Sequence, residues 1–361
     1  MLPMPTNRFS TDSFPKLEQD ILVSFLIPVY DAEDKLPATL DSIVKQDNGH
    51  IEIICVDDGS SDSSGDILSR YEQRYSFFHA IHQENRGAAA ARNLAMDHAN
   101  GMWLCFIDSD DIISNDTVRV IQEKADSSCD IIYFNYQQFT DKPLMTNTGT
   151  CDRIFIEGKD ILKLQGDCIN RLATNHPIIP HTVQPTPWGK IYRRSFIENH
   201  NLHFRCGLQI EEDVLFNLTA LSFCRKAAHI DFVMYYYRWS IHSISHKYNP
   251  RVIDNVQKAL AAYQEILSSC YPNRSDMQEL YQYRILWELL YCVALGPIHV
   301  QNSASYSIRR RQFLELVNDP LFANAIRNVP TTKFEWKQSI LATLIKYRQF
   351  WLLNILGKLN K

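Results

Sequence analysis

The stretch "CFIDSDDII", Cys105–Ile113, breaks off an apolar run in three carboxylates, Asp108, Asp110 and Asp111. A run that ends this abruptly reads as a buried strand whose carboxyl end sits at a sheet edge, where ligands bind in open α/β sheets. Clustered carboxylates repel one another unless a cation answers them, and oxygen donors select hard divalent ions, Mg2+ or Mn2+. Mg2+ tends to take one or two carboxylates together with substrate phosphates, so the acidic tip implies a phosphorylated ligand, a nucleotide first of all.

Strand and helix patterns alternate on either side of this stretch. "ILVSFLIPV" (Ile21–Val29) and "IEIICVD" (Ile51–Asp57) are apolar without polar alternation, as strands buried on both faces are. Leu36, Leu40, Ile43 and Val44 have helical spacing, and "GAAAARNLAMDHANG" is Ala-rich and closes on Gly101. "FFHAIHQ" (Phe77–Gln83) and "CDIIYFNY" (Cys129–Tyr136) add two more strands. Short connections between alternating elements predict an α/β fold, an open and mostly parallel sheet flanked by helices. Residues 1–20 read as a polar lead-in. The stretch 137–180 is irregular, with a helix expected near Gly158–Leu172, and from about Val252 the chain turns mainly helical.

The composition is that of an ordinary globular chain: 361 residues, 45% hydrophobic, formal net charge -4. No basic domain stands out in the first three quarters, which argues against nucleic acid as the partner. The nine cysteines are scattered singly with no CxxC pair, so zinc and thioredoxin-type motifs are not expected. Cys55, Cys105 and Cys129 fall in apolar strands as buried free thiols, which suits a reducing compartment. The lead-in lacks a signal-peptide core, so the expected location is the cytoplasm.

A second acidic cluster, Asp57 and Asp58, ends another strand at the same predicted edge. On its own "DDGSSD" is equally well read as turn chemistry. In "QENRGAAAARN", Gly87 lets the backbone approach a ligand, and Arg86 and Arg92 suit phosphate or an acidic side chain. The phosphate fingerprints GxGxxG and GxxxxGK[ST] are absent, which disfavours dinucleotide-dependent dehydrogenases and P-loop enzymes.

In order, "IPVYDAEDKLPATLDSI", "IICVDDGSSDSS", "NRGAAAARN" and "FIDSDD" resemble the family-2 glycosyltransferases with a GT-A-type fold. The resemblance resumes at "PWGKIYRRSFI", "EEDVLFN" and "YYYRWSIHSIS" and spans roughly two thirds of the chain. It implies a catalytic domain over 21–250, with a nucleotide-binding part at about 21–136 and an acceptor part at about 137–250. A helical region follows over 251–361. By the resemblance, Pro28 and Tyr30 line the base pocket, and Asp58, helped by Asp57, accepts from the uracil N3–H. Arg92 supports the uracil-side carboxylates or the phosphates. Asp108 reaches the ribose, and Asp110 of the Asp108-Ser109-Asp110 motif binds Mn2+ or Mg2+. Asp111 caps the following loop. Asp31 stands where the family often has Asn, a turn former like it.

The resemblance also assigns Asp213, in an acidic helix start, as the general base for an acceptor hydroxyl. A single displacement of this kind inverts the anomeric carbon. Trp188 offers an apolar wall to a sugar or serves as a core tryptophan, and Lys190 positions its segment or approaches a phosphate. Arg238, His242, Ser243 and Ser245 could close over the pyrophosphate, and His242 or His246 could add a metal ligand. The expected donor is a nucleotide sugar, UDP-linked, and the acceptor a glycan or lipid-linked oligosaccharide in bacterial surface polysaccharide synthesis. Other readings are a sugar nucleotidyltransferase, though "PVYDAEDKLP" lacks its Gly-rich basic loop, and a silent nucleotide-sugar-binding module. The tail 333–361 carries Lys333, Lys337, Lys346, Arg348, Lys358 and Lys361 against Glu335, with aromatic and aliphatic residues at helical spacing. It reads as one amphipathic helix, either packed on the core or lying peripherally on the inner face of the cytoplasmic membrane.

Overall fold

A computed structural model describes residues 21–143, 149–170, 185–239 and 248–359. Three strand–helix units lead: β1 (Val23–Val29) and α1 (Leu36–Val44), β2 (Ile51–Asp57) and α2 (Ser64–Arg74), β3 (Phe78–His82) and α3 (Ala88–His98). β4 (Trp103–Phe106), β5 (Ile112–Ile113), α4 (Thr117–Lys124) and β6 (Ile131–Phe139) follow. Next come β7 (Arg153–Glu157), α5 (Lys159–Ile169), β8 (Lys190–Arg193), α6 (Arg194–Asn199), α7 (Glu212–Phe223) and β9 (Lys226–Arg238). The strands form one sheet in the order β3-β2-β1-β4-β8-β6-β9-β5, with β7 paired to β9.

Strands β1 to β4 are mutually parallel where they pair, so the ends of β1, β2 and β4 come out at one edge. Alternate residues feed two layers. Phe25, Ile27 and Val29 meet Leu36, Leu40 and Ile43 of α1 on one face. Leu26, Ile54 and Val56 meet Ala89, Ala91 and Ala95 of α3 on the other. Small side chains let α3 lie close on the sheet, which brings its first turn to the ligand edge. Beyond β4 the sheet is mixed: β8 runs antiparallel to both β4 and β6, and β6 is parallel to β9 with register shifts around Asn135.

The helical region consists of α8 (Val252–Cys270), α9 (Ser275–Leu295), α10 (Tyr306–Asn318), α11 (Pro320–Asn328), α12 (Trp336–Lys346) and α13 (Phe350–Leu359). Val256, Leu260, Ile285, Leu289 and Phe322 belong to the same buried cluster as Leu26 and Val56, so these helices pack on the sheet's α3 side. The tail is two helices rather than the one its spacing predicted. They break at Arg348, whose φ of 55° is left-handed. Ala342, Ile345, Phe350 and Leu353 are buried, while Trp336, Ile340, Tyr347, Trp351 and Ile355 are exposed. Among the described residues no helix is long and apolar enough to cross a membrane. All nine cysteines are free, with Cys55, Cys105 and Cys129 buried as expected.

Candidate active site

The loops after β1 and β2 are tied together at the ligand edge. Asp31 adopts a φ of 45°, and its carboxylate accepts from the Ser61 N–H at 2.7 Å. Glu33 accepts from the Ser63 N–H and Asp62 from the Glu33 N–H, both at 2.9 Å. Pro28 is half-buried in β1, and Tyr30 just beyond it is 52% exposed, free to meet a flat ligand.

Asp57 accepts from the Ser60 N–H at 3.0 Å and lies 2.9 Å from Nδ1 of His82. Burial pushes its pKa up, but the hydrogen bonds from Ser60 and His82 outweigh that and hold it below the usual range. Asp58 is buried and accepts three hydrogen bonds: from Gln83 Nε2 at 2.7 Å, and from the backbone N–H groups of Arg86 and Gly87 at 2.8 Å each. About four acceptor positions exist on a carboxylate, so one remains for a ligand donor. Asp58 therefore fixes the turn that opens α3, where Gly87 takes a φ of 89° that other residues resist. The Arg86 side chain stands exposed at the same edge.

Arg92 does not take the first of its two expected places, beside the uracil-side carboxylates. Its guanidinium is buried and donates to Asp108 Oδ1 and to Glu212 Oε1, both at 3.1 Å, rather than to Asp57 or Asp58. Desolvation lowers its pKa, but Asp108, Glu212 and Asp213 more than compensate, so it stays charged. The face of Phe204 lies 5.4 Å beneath it. One side chain from α3 thus joins the acidic tip after β4 to the acidic start of α7. No spacing rule links positions 92 and 212; only the close packing of α3 on the sheet brings them together.

At the tip, the Ser109 carbonyl accepts from Thr39 Oγ1 at 3.0 Å, and the Asp110 carbonyl accepts from Arg238 Nε at 2.8 Å. Asp111 does not cap the following loop. It is buried, and it accepts from the Tyr235 hydroxyl and from the Arg238 N–H, each at 2.6 Å, which ties the tip to β9. Burial first, then Asp108 and Asp110, push its pKa up to about 8. The Asp110 carboxyl is also raised, by desolvation first and by Asp108 second, although its side chain reaches solvent, which screens part of that effect. Burial is the larger cause of both shifts; the carboxylates that add to it are oxygen donors whose mutual repulsion a divalent cation would relieve, so the donor set suits a hard metal. Among the described residues no group of three or more His, Cys, Asp or Glu side chains is placed to hold a metal. A cation here would rest on Asp110 and Asp108 and draw its remaining ligands from phosphates and water. His242, Ser243, Ser245 and His246 lie outside the described residues.

Asp213 sits in the first turn of α7, and its Oδ1 accepts from the Val214 N–H at 2.8 Å. Each glutamate beside it is answered by an arginine. Glu212 pairs with Arg92, and buried Glu211 pairs with Arg284 and accepts from the Tyr263 hydroxyl at 2.7 Å. Arg284 also meets Glu288 at 2.9 Å. These α8 and α9 partners hold Glu211 in a left-handed conformation, φ 69°, at the turn into α7. Arg284 and Glu288 were not foreseen as part of the site. The available signal was an arginine inside the apolar run "RILWELL" with Glu four residues on, an arrangement that implies a buried ion pair.

Trp188 is the core tryptophan of the two readings open to it. It is 7% exposed and nearly parallel to Tyr235 at 4.5 Å and to Tyr237 at 5.5 Å. Lys190 is buried too, which excludes a phosphate contact. It donates to the carbonyls of Thr186 and Trp188, and burial lowers its pKa to about 7. It positions the 186–188 turn from inside.

The family model "Glycosyl transferase family 2" matches residues 24–208, more than half of the chain. EpsH of Bacillus subtilis (strain 168), which carries a glycosyltransferase name, is 31% identical over 344 residues, covering 90% of this chain and 92% of its own. TarS of Staphylococcus aureus, a poly(ribitol-phosphate) β-N-acetylglucosaminyltransferase, is 25% identical over 74% of this chain and 43% of its own. The crystal structure of TarS 1-349 with UDP-GlcNAc superposes with a TM-score of 0.61 at 18% identity, covering 94% of this chain and 91% of that one. The mannosyltransferase PcManGT of Pyrobaculum calidifontis, solved with GDP-Man and Mn2+, gives a TM-score of 0.50 at 15% identity over 93% and 90% of the two chains. With the ordered strand tips and the helix-borne acid already in place, these matches make the chain a glycosyltransferase of family 2, with the GT-A-type fold.

Proposed function

We propose that the protein transfers a sugar, with inversion, from a UDP-sugar to a hydroxyl of a glycan or lipid-linked oligosaccharide during assembly of a bacterial surface polysaccharide. The observation that carries this reading is the Arg92 bridge, which sets the donor-side acid Asp108 and the Asp213 helix start on either side of one guanidinium. UDP and UDP-GlcNAc in the TarS crystals support the choice of donor.

Tyr30 and Pro28 flank the base, and the open acceptor position of Asp58 receives the uracil N3–H. Asp108 orients the ribose, and Asp110 would hold Mn2+ or Mg2+, which would supply positive charge against the departing diphosphate. The acceptor oxygen attacks the anomeric carbon and a new C–O bond forms. The C–O bond to phosphate breaks, with its electron pair leaving on UDP. The hydroxyl proton passes to the Asp213 carboxylate. A nucleotidyltransferase would consume or release pyrophosphate instead, and a silent binding module would release nothing.

The test is UDP release across a panel of nucleotide sugars with acceptor extract, together with Asp110→Asn. That variant should bind UDP in Mn2+ no better than the wild type does in EDTA, a loss of about tenfold or more, since a single carboxylate competes poorly with water for the ion. Undiminished Mn2+-dependent binding by the variant would exclude Asp110 as the ligand.

The acceptor class directs attention to the tail. Exposed Trp336, Ile340, Tyr347, Trp351 and Ile355 lie among Lys337, Lys346, Arg348 and Lys358, a composition that suits the face of an anionic membrane. Each basic residue near such a surface contributes about 1 kcal/mol, weakened by salt. Deleting the tail would strip Phe350 and Leu353 from the core, so the test is Trp336→Ser with Trp351→Ser. Binding to phosphatidylglycerol vesicles should fall by about tenfold with the melting temperature unchanged, as expected for losing exposed anchors only. Equal vesicle binding by the double variant would remove the membrane from the proposal.

A further inference from the structure

The elbow between α12 and α13 borders a groove of about 670 Å3. Lys346, Tyr347 and Arg348 of the elbow line it together with Arg327, from the last turn of α11. Buried Val317 and Ile345 make its floor apolar. Small-molecule sites run to about 300–1,000 Å3, and this groove falls within that range.

Arg327 and Lys346 alone need no ligand, because cations in the last turn of a helix complement its dipole. Arg348 is different. It holds the left-handed position after α12, φ 55°, where glycine is the ordinary choice. Its guanidinium reaches Asn318 Oδ1 of α10 at 2.7 Å, and Arg327 Nε donates to the Ala323 carbonyl at 3.3 Å. Both acceptors are neutral, so neither partner cancels the positive charge. Asp319, next to Asn318, is engaged elsewhere: it accepts from the Leu321 N–H at 2.9 Å and from Gln257 Nε2 at 3.3 Å. Three cations over an apolar floor suit a phosphate that carries an apolar chain. Tyr347 is 67% exposed, and exposed Trp351 follows in the first turn of α13; such rings meet the interfacial region of a bilayer well.

We propose that this groove binds the phosphate headgroup of a single anionic membrane lipid. Arg327, Lys346 and Arg348 meet the phosphate, and Val317 and Ile345 lie under the glycerol and the first methylenes. This is a defined site, distinct from the diffuse attraction of a basic tail to a charged surface, and it depends neither on the donor reading nor on vesicle binding.

Titration calorimetry of the full chain with dihexanoyl-phosphatidylglycerol below its micelle concentration tests it, since a monomeric lipid offers no surface. Binding should saturate at a single lipid per chain and weaken with salt. Glycerophosphoglycerol, the same headgroup without chains, should bind at least ~10-fold more weakly for want of a few buried methylenes. Dihexanoyl-phosphatidylcholine, whose ammonium offsets the phosphate, should bind about fivefold more weakly or less well still. Arg348→Gly should lower the affinity for the anionic lipid by about fivefold or more. Glycine adopts this φ freely, so the variant should melt no lower than the wild type. Arg327→Gln, on a different helix, should weaken binding to a similar degree. The proposal is overturned if the monomeric lipid shows no saturable binding, if either control matches it, or if both folded variants bind as the wild type does. A match by glycerophosphoglycerol would make the groove a site for free phosphate esters. Vesicle binding without monomer binding would leave the surface attraction of the tail standing and remove this site.

Discussion

Asp213→Asn should lower sugar transfer by ~10²–10⁴-fold, the usual range for losing a positioned general base, with UDP-sugar binding almost unchanged. The amide is nearly isosteric and can still accept from the Val214 N–H, so α7 keeps its start. What it cannot do is take the hydroxyl proton. Neighbouring Glu212 does not substitute, because its carboxylate is engaged by Arg92, nor does Glu211, which faces Arg284 and Tyr263. Calorimetry with UDP and a single-turnover assay separate the two quantities. Wild-type turnover would place the base elsewhere. Loss of UDP binding would mean that Asp213 supports the donor site through the Arg92 bridge instead.

Much of this site was legible in the chain itself, for a specific reason. A strand buried on both faces is written as an unbroken apolar run, so Asp57 and Asp108 announce where each run stops. The first four parallel strands and α3 are readable on the same terms. Strand β9 was not. His229 and Asp231 lie inside it, and its polar groups are satisfied by Asn135 across β6, so neither apolar continuity nor alternation marks it as a strand. Arg92 was singled out, but its partners are 16 and 120 residues away, and only tertiary packing selects them. The tail shows a different limit. Its exposed stripe was read correctly as helical, but the buried stripe of Ala342, Ile345, Phe350 and Leu353 has the same period, and the turn at Arg348 between the helices carries no Gly or Pro to mark it.

Arg284→Met should destabilise the protein by about 3–5 kcal/mol, the cost of breaking a buried ion pair from one side. Arg284 is 1% exposed, and it stands between Glu211 and Glu288, both nearly as buried. Methionine fills much of the volume, so the loss is electrostatic rather than a cavity. Two carboxylates would be left facing each other in the interior, and at least one must take up a proton. Because protonation relieves the strain, the variant should recover part of its stability as the pH falls towards 5, an acid dependence opposite to that of ordinary surface carboxylates. Activity should fall as well. Glu211 holds a left-handed turn two residues before Asp213, and that turn costs on the order of 1–3 kcal/mol that its partners must supply. Urea unfolding at pH 7 and pH 5 measures the first effect, and transfer under native conditions the second. The triple replacement Arg284→Met, Glu211→Gln, Glu288→Leu removes every buried charge of the group and should regain most of the stability but not the activity, since an uncharged group is often as stable as the buried ionic one it replaces. If Arg284→Met unfolds at the wild-type urea concentration, the network is not what anchors the helical region to the catalytic turn.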